Sequence, residues 1–138
     1  MSEPILIPVS AGELFDKLTI LQIKRERIAD AAKLANVGRE FDLLESVARQ
    51  VVAALPHSAG EVATLRGLLL KANQRLWDLE NSVRAFGARS DFGLEFAATA
   101  SQTYSTNDQR SALKRQLNVL LASELVEEKE HRIDGGPR

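Results

Sequence analysis

Apolar residues along this chain recur every three or four positions, and no stretch alternates with period two over the length of a strand. The pattern predicts helices throughout. The first starts at Ser10, where Ser10-Ala11-Gly12-Glu13 reads as a capping box: the serine side chain caps the amide three residues on, and the glutamate reaches back. Leu14, Leu18, Leu21, Ile28 and Ala32 then form one stripe, which predicts a helix over 11–34, ending before Asn36-Val37-Gly38. A second helix, over 38–55, carries the seam Val37, Phe41, Leu44, Ala48, Val51 and Leu55, and Pro56 stops it. Ser58-Ala59-Gly60-Glu61 repeats the start signal. Behind it Val62, Leu65, Leu69, Ala72, Leu76, Leu79, Val83 and Phe86 hold the strongest periodicity in the chain. A helix over 61–86 is about 39 Å long at 1.5 Å per residue.

Gly87 is placed for a C-cap and opens a connector over 87–92. A short helix over 93–104 follows. Thr106-Asn107-Asp108-Gln109 is a further capping signal, opening a last helix over 107–131 whose Leu113, Leu117, Leu120 and Leu121 face the core. The expected fold is all-α: an antiparallel helical bundle of four to five helices in a single helical domain over 1–131, with a flexible tail over 132–138. The short link at Pro56 predicts that the second and third helices form a hairpin. Ahead of the first helix, Pro4 and Pro8 hold residues 3–9 extended. Ile5 and Ile7 are expected to dock on the body, since leaving them in water forfeits their burial.

Composition narrows the function classes. Eighteen basic and 19 acidic residues give a net charge of −1, so no global field draws nucleic acid or an anionic membrane. A single Trp77 and a single Tyr104 make no stacking platform for single strands. The chain has no cysteine, which excludes disulfides, thiol catalysis and cysteine-held zinc. The opening residues do not read as a signal peptide, and no apolar run is long enough to span a bilayer. A cytoplasmic location is expected. There is no Gly-x-Ser-x-Gly turn and no phosphate-binding glycine loop. No cofactor is implied, and His57 in its turn and His131 near the tail read as solvated.

One run is distinctive: Pro8-Val9-Ser10-Ala11-Gly12-Glu13-Leu14-Phe15-Asp16-Lys17-Leu18-Thr19-Ile20-Leu21, with Lys24. With it go Leu76-Trp77 and Glu80, then Asn107-Asp108 with Arg110, Lys114 and Asn118, and Glu127-Glu128-Lys129. Over Pro4 to about Lys129 the chain resembles an uncharacterised bacterial family of small all-helical proteins. The resemblance implies a link to sugar transfer, because members of that family occur attached to, or beside, cell-envelope polysaccharide proteins. A sugar-transfer protein is therefore one partner it implies.

Candidate chemistry lies in polar stripes beside the apolar ones. On a helical wheel Glu13, Lys17 and Lys24 fall between two apolar arcs, a position that draws charges into partial burial and obliges them to find partners. Glu13 can pair with Lys17 one turn on; Lys24 needs a partner from elsewhere. Asn73, Trp77, Glu80 and Arg84 make a matching line on the third helix, and Asn107, Arg110, Lys114 and Asn118 make one on the last. Lys17 and Lys24 are expected to reach polar groups of these two helices. Two readings follow. The stripes pair with one another and fix helix register, or Lys17, Lys24, Asn73, Trp77, Arg84, Asn107, Arg110 and Lys114 converge on a pocket for a small anion such as a phosphate or a sugar nucleotide.

The function these features favour is a non-enzymatic binding or accessory module in cell-envelope polysaccharide metabolism, taking an anionic ligand or a protein partner. Homodimerisation through the second or third helix is one form of it. The alternative is a metal-dependent nucleotide pyrophosphohydrolase of the all-α type, in which Glu13 and Asp16 with Glu124 and Glu127 supply carboxylates three apart for magnesium.

Overall fold

The computed structural model describes residues 3–122 and Glu128. Among them are four α-helices, α1 (Ala11–Arg27), α2 (Ala31–Ala53), α3 (Ala59–Ala88) and α4 (Leu94–Leu120), with a 3-10 turn over Pro56–Ser58, and no strand. Successive helices run up and down. The all-α antiparallel bundle expected from the periodicity is what the chain forms.

The Ser10 cap forms as expected: its Oγ accepts the Glu13 amide at 3.2 Å. The helix it opens is shorter than 11–34. Lys24, Arg25 and Arg27 sit in its last turn, where cations complement the exposed carbonyls. Ile28 then turns extended, at φ −80° and ψ 133°. Asp30 restarts the chain as a helix, its carboxylate accepting the Lys33 amide at 2.9 Å. The second helix therefore begins seven residues earlier than the glycine at 38 suggests, and Gly38 lies inside it.

The reverse error occurs in α4. The expected break at 104–107 is absent, and the two helices predicted there are one. Hydroxyls in this stretch bond back along the helix instead of ending it: Thr99 donates to the Glu95 carbonyl at 2.8 Å, Thr103 to that of Thr99 at 3.0 Å, and Ser105 to that of Gln102 at 3.1 Å. Thr106 is buried, and its hydroxyl accepts from Arg75 Nε at 3.3 Å. At its far end α4 stops at Leu120, and Ala122 takes a left-handed φ of 51°. The remainder of the helix predicted to 131, and the predicted tail, lie outside the described residues apart from Glu128.

Two further expectations are corrected. Ser58 makes no side-chain cap, because the 3-10 turn already holds its backbone in a helical conformation, at φ −93° and ψ −4°. Gly87 remains helical, and Ser90 takes the left-handed position that closes α3, at φ 54°.

The core shows why α1 is central. Phe15, Leu18, Ile23, Leu69 and Leu117 are all but sealed from water, each worth about 1.5–3 kcal/mol of burial. α1 packs on α2, α3 and α4, and α3 and α4 form a long hairpin. α2 and α3 make few direct contacts, so the hairpin expected around Pro56 is splayed. A bidentate Arg66–Glu45 pair, at 2.7 and 3.1 Å, bridges the opening. Below the bridge lies an open, mostly apolar groove of about 470 Å³ between α2 and α3, floored by Phe15.

Residues 3–9 do not dock. Ile5, Leu6, Ile7 and Val9 are 91, 90, 71 and 47% exposed. Proline-enforced extension leads the segment off the body.

Candidate functional site

Three helices bring the polar stripes together around Asp16. This carboxylate is 1% exposed on the inner face of α1. Arg110 of α4 grips it from one side, with Nε at 2.8 Å from Oδ1 and Nη2 at 2.5 Å from Oδ2. Asn73 of α3 donates to Oδ1 at 2.9 Å and, from the same amide, to Thr19 Oγ1 at 2.9 Å. Thr19 in turn donates to the Asp16 carbonyl at 2.7 Å. One turn further along α4, Lys114 binds Glu13 at 2.9 Å and lies 4.0 Å from Asp16. Asn107 accepts from Arg110 Nη1 at 3.4 Å.

The geometry depends on a close approach of two backbones. The Gly12 amide donates to Asn118 Oδ1 at 2.7 Å. A Cβ on Gly12 would lie 2.4 Å from the Lys114 carbonyl oxygen, nearer than any side chain sits. Glycine at 12 thus lets the first turn of α1 lie against α4, which puts Glu13 and Asp16 within reach of Lys114 and Arg110.

Of the residues expected to converge, Asn73, Asn107, Arg110 and Lys114 do so. Lys17, Lys24, Trp77 and Arg84 do not. Lys17 is more than half exposed and lies 3.9 Å from Glu40 on α2, so its expected reach to the third and last helices is not realised. Lys24 is half-buried and makes no ion pair among the described residues. Trp77 is half-buried with the Arg27 guanidinium 5.9 Å over its ring, while Arg27 binds Asp78 at 2.5 Å. Arg84 is exposed. Glu13 and Asp16, considered as metal ligands, each hold a cation from α4; Glu124 and Glu127 lie outside the described residues. Among the described residues no cluster of three metal-ligating side chains forms. The residues missed are Gly12, hidden inside a capping signal, and Thr19, whose hydroxyl falls on an otherwise apolar arc.

The electrostatics fit a lock better than a catalyst. Burial by itself would push the Asp16 carboxyl up. The hydrogen bonds from Arg110 and Asn73, and the charges of Arg110 and Lys114, outweigh it and hold the group below its ordinary value of 3.8. A general acid or base works best with a pKa near the working pH. Asp16 is displaced away from neutrality, and both its oxygens are already engaged. Among the described residues two carboxylates face two cations, and these four charges cancel. Among the described residues no buried side-chain polar atom lacks a partner.

Among the described residues, no helix is long and apolar enough to cross a membrane. Comparison with protein-family models, curated proteins and solved structures gives no match for this chain.

Proposed function

We propose that this chain is a non-catalytic helical docking module: a four-helix body that presents an apolar N-terminal arm to a protein surface. The exposure of Ile5, Leu6, Ile7 and Val9 within one short extended segment supports this reading. Each large aliphatic side chain left in water forfeits about 1.5–3 kcal/mol of burial, and a contiguous set of them marks an interaction site. The Asp16 cluster gives the body a fixed register and takes no part in chemistry. Binding of a phosphate or sugar nucleotide has less support, because Arg110 and Lys114 already face carboxylates. A magnesium site would require Glu13 and Asp16 to leave those same cations. The proposed setting, beside cell-envelope polysaccharide proteins, rests on the sequence resemblance over Pro4 to about Lys129.

The test is a photo-crosslinking amino acid at position 6, introduced in living cells. It should give discrete protein adducts that disappear when Ile5 and Ile7 are changed to Ser, with the helical circular dichroism spectrum of the purified protein unchanged. A parent protein that forms no adduct from position 6 refutes docking through the arm.

A further inference from the structure

The arm and the α2–α3 groove complement each other. The groove is walled by Ala48, Val52 and Ala53 of α2 and by Val62 and Ala63 of α3, with Phe15 beneath. Its α2 wall, Glu45 to Ala53, is eight residues of rise, or about 12 Å. In a fully extended segment alternate side chains share a face about 6.6 Å apart, a spacing that can present Ile5, Ile7 and Val9 together. Ile5 and Ile7 with their side chains therefore match the groove in length and in chemistry. Charge matches as well. Glu3 lies two residues before Ile5, and Arg49, exposed on the groove rim, adds its charge to the Arg66–Glu45 pair without a hydrogen bond to it.

Whose groove the arm enters follows from the root of the arm. Ile7 precedes a proline and is held extended, Pro8 has a fixed φ, and Ser10 is extended at φ −71° and ψ 158°. No turn or bend interrupts the run from Ile7 to Ser10. Below it α1 is pinned against α4 through Gly12 and Asn118. An uninterrupted arm on a pinned root leads away from its own body, and entering its own groove would require a reversal at Pro8–Val9. A second copy offers the same groove without that reversal. Plug and socket also lie near the same end of the molecule, since the groove floor Phe15 is five residues from the cap Ser10. A two-fold axis beside that end lets both arms cross at once and closes the assembly as a dimer.

We infer that two copies of this chain exchange N-terminal arms, each inserting Ile5 and Ile7 into the partner's α2–α3 groove over Phe15, with Glu3 meeting Arg49 at the rim. The inference rests on the docking reading above and names the partner as the chain itself.

Sedimentation velocity of the purified full chain should show a concentration-dependent dimer. Ile5→Asp with Ile7→Asp on the arm side, or Ala63→Asp on the groove side, should each weaken the dimer at least tenfold. Both sites are exposed to solvent, and circular dichroism checks that each variant keeps its helices. Mixing the arm variant with the groove variant should restore association, because one intact arm then meets one intact groove. The chain has no cysteine, so Ile7→Cys and Ala63→Cys proteins, made separately, mixed and oxidised, should link as a covalent dimer. A double Ile7→Cys/Ala63→Cys protein that bridges only within one chain would overturn the exchange, as would a parent that stays monomeric at roughly millimolar concentration. Adducts from position 6 to a different protein, with the purified chain monomeric, would refute the exchange and leave the docking reading standing. Loss of both signals would remove both.

Discussion

Replacing Arg110 with Ala tests whether the Asp16 cluster is a structural lock. The change removes both charge-assisted hydrogen bonds, at 2.8 and 2.5 Å, from a carboxylate that is 1% exposed. Asn73 remains on the carboxylate, and Lys114 lies 4.0 Å away while holding Glu13. Removing one partner of a buried ion pair costs about 3–5 kcal/mol, because the remaining charge stays in a low-dielectric site. At this chain length that is a fall in melting temperature of roughly 10–20 °C. Asp16→Ala should cost less, since Arg110 is about a quarter exposed and can turn to water. The Arg110→Ala/Asp16→Ala double variant should be more stable than the sum of the two losses predicts, with a coupling of about 1–3 kcal/mol. Acid denaturation gives a second readout with a definite sign. A carboxyl whose folded pKa lies below its unfolded value of 3.8 stabilises the fold above that value, and this contribution is lost as the pH falls through the folded pKa. The gap between parent and Asp16→Ala should therefore be widest above pH 5 and shrink on acidification towards pH 2. Urea denaturation across that range measures it. Additive losses, or a gap that widens in acid, would refute the lock. Phosphate that raises the melting temperature of the parent and not of Arg110→Ala would favour the anion pocket instead.

Gly12→Ala should destabilise the fold beyond the usual 1–3 kcal/mol of an overpacked core, because the atom it meets at 2.4 Å is a backbone carbonyl oxygen that cannot rotate away; a thermal melt within 2 °C of the parent would show that α1 can lift off α4 at little cost. Ser10→Ala should lose about 1 kcal/mol, since Ser10 caps Glu13 at 3.2 Å. Ser58→Ala, at a position without a side-chain cap, should stay within about 0.5 kcal/mol of the parent; paired urea titrations check both, and equal losses would contradict the difference between the two helix starts.

The periodic positions were legible because burial imposes them. The α3 seam written in the sequence from Val62 to Phe86 is the face that packs, with Leu69 fully buried and Phe86 at its far end. Helix boundaries were less legible, because local signals compete there with tertiary packing. Asp30 is a good N-cap but stands among alanines, with no proline or glycine to draw attention to it. The Thr106 signal is equally good on paper, yet α3 covers it, and Arg75 takes the hydroxyl that would have capped a helix. The arm departs from expectation for a similar reason: the cost of exposing Ile5 and Ile7 calls for burial, but it does not specify this chain's own body as the surface that offsets it.

The candidate site shows why pairing was harder to read than placement. The stripes put Glu13 and Asp16 on one helix and Arg110 and Lys114 on another at the right spacing, which the 3.6-residue period alone supplies. A local rule offers a local partner, Lys17, for Glu13. The partner Glu13 takes is Lys114, 101 residues away. Choosing between them requires knowing which helix α1 lies against and how closely, and no periodicity encodes that distance. Gly12 does encode it: any larger residue there would meet the Lys114 carbonyl and hold the helices apart, leaving Asp16 short of Arg110. A glycine in the first turn of a helix, followed at helical spacing by buried-face carboxylates, therefore points to a backbone close approach that turns neighbouring polar stripes into ion pairs. By the same reasoning, Arg110 and Lys114 each meet a carboxylate of α1 that the close approach brings within reach.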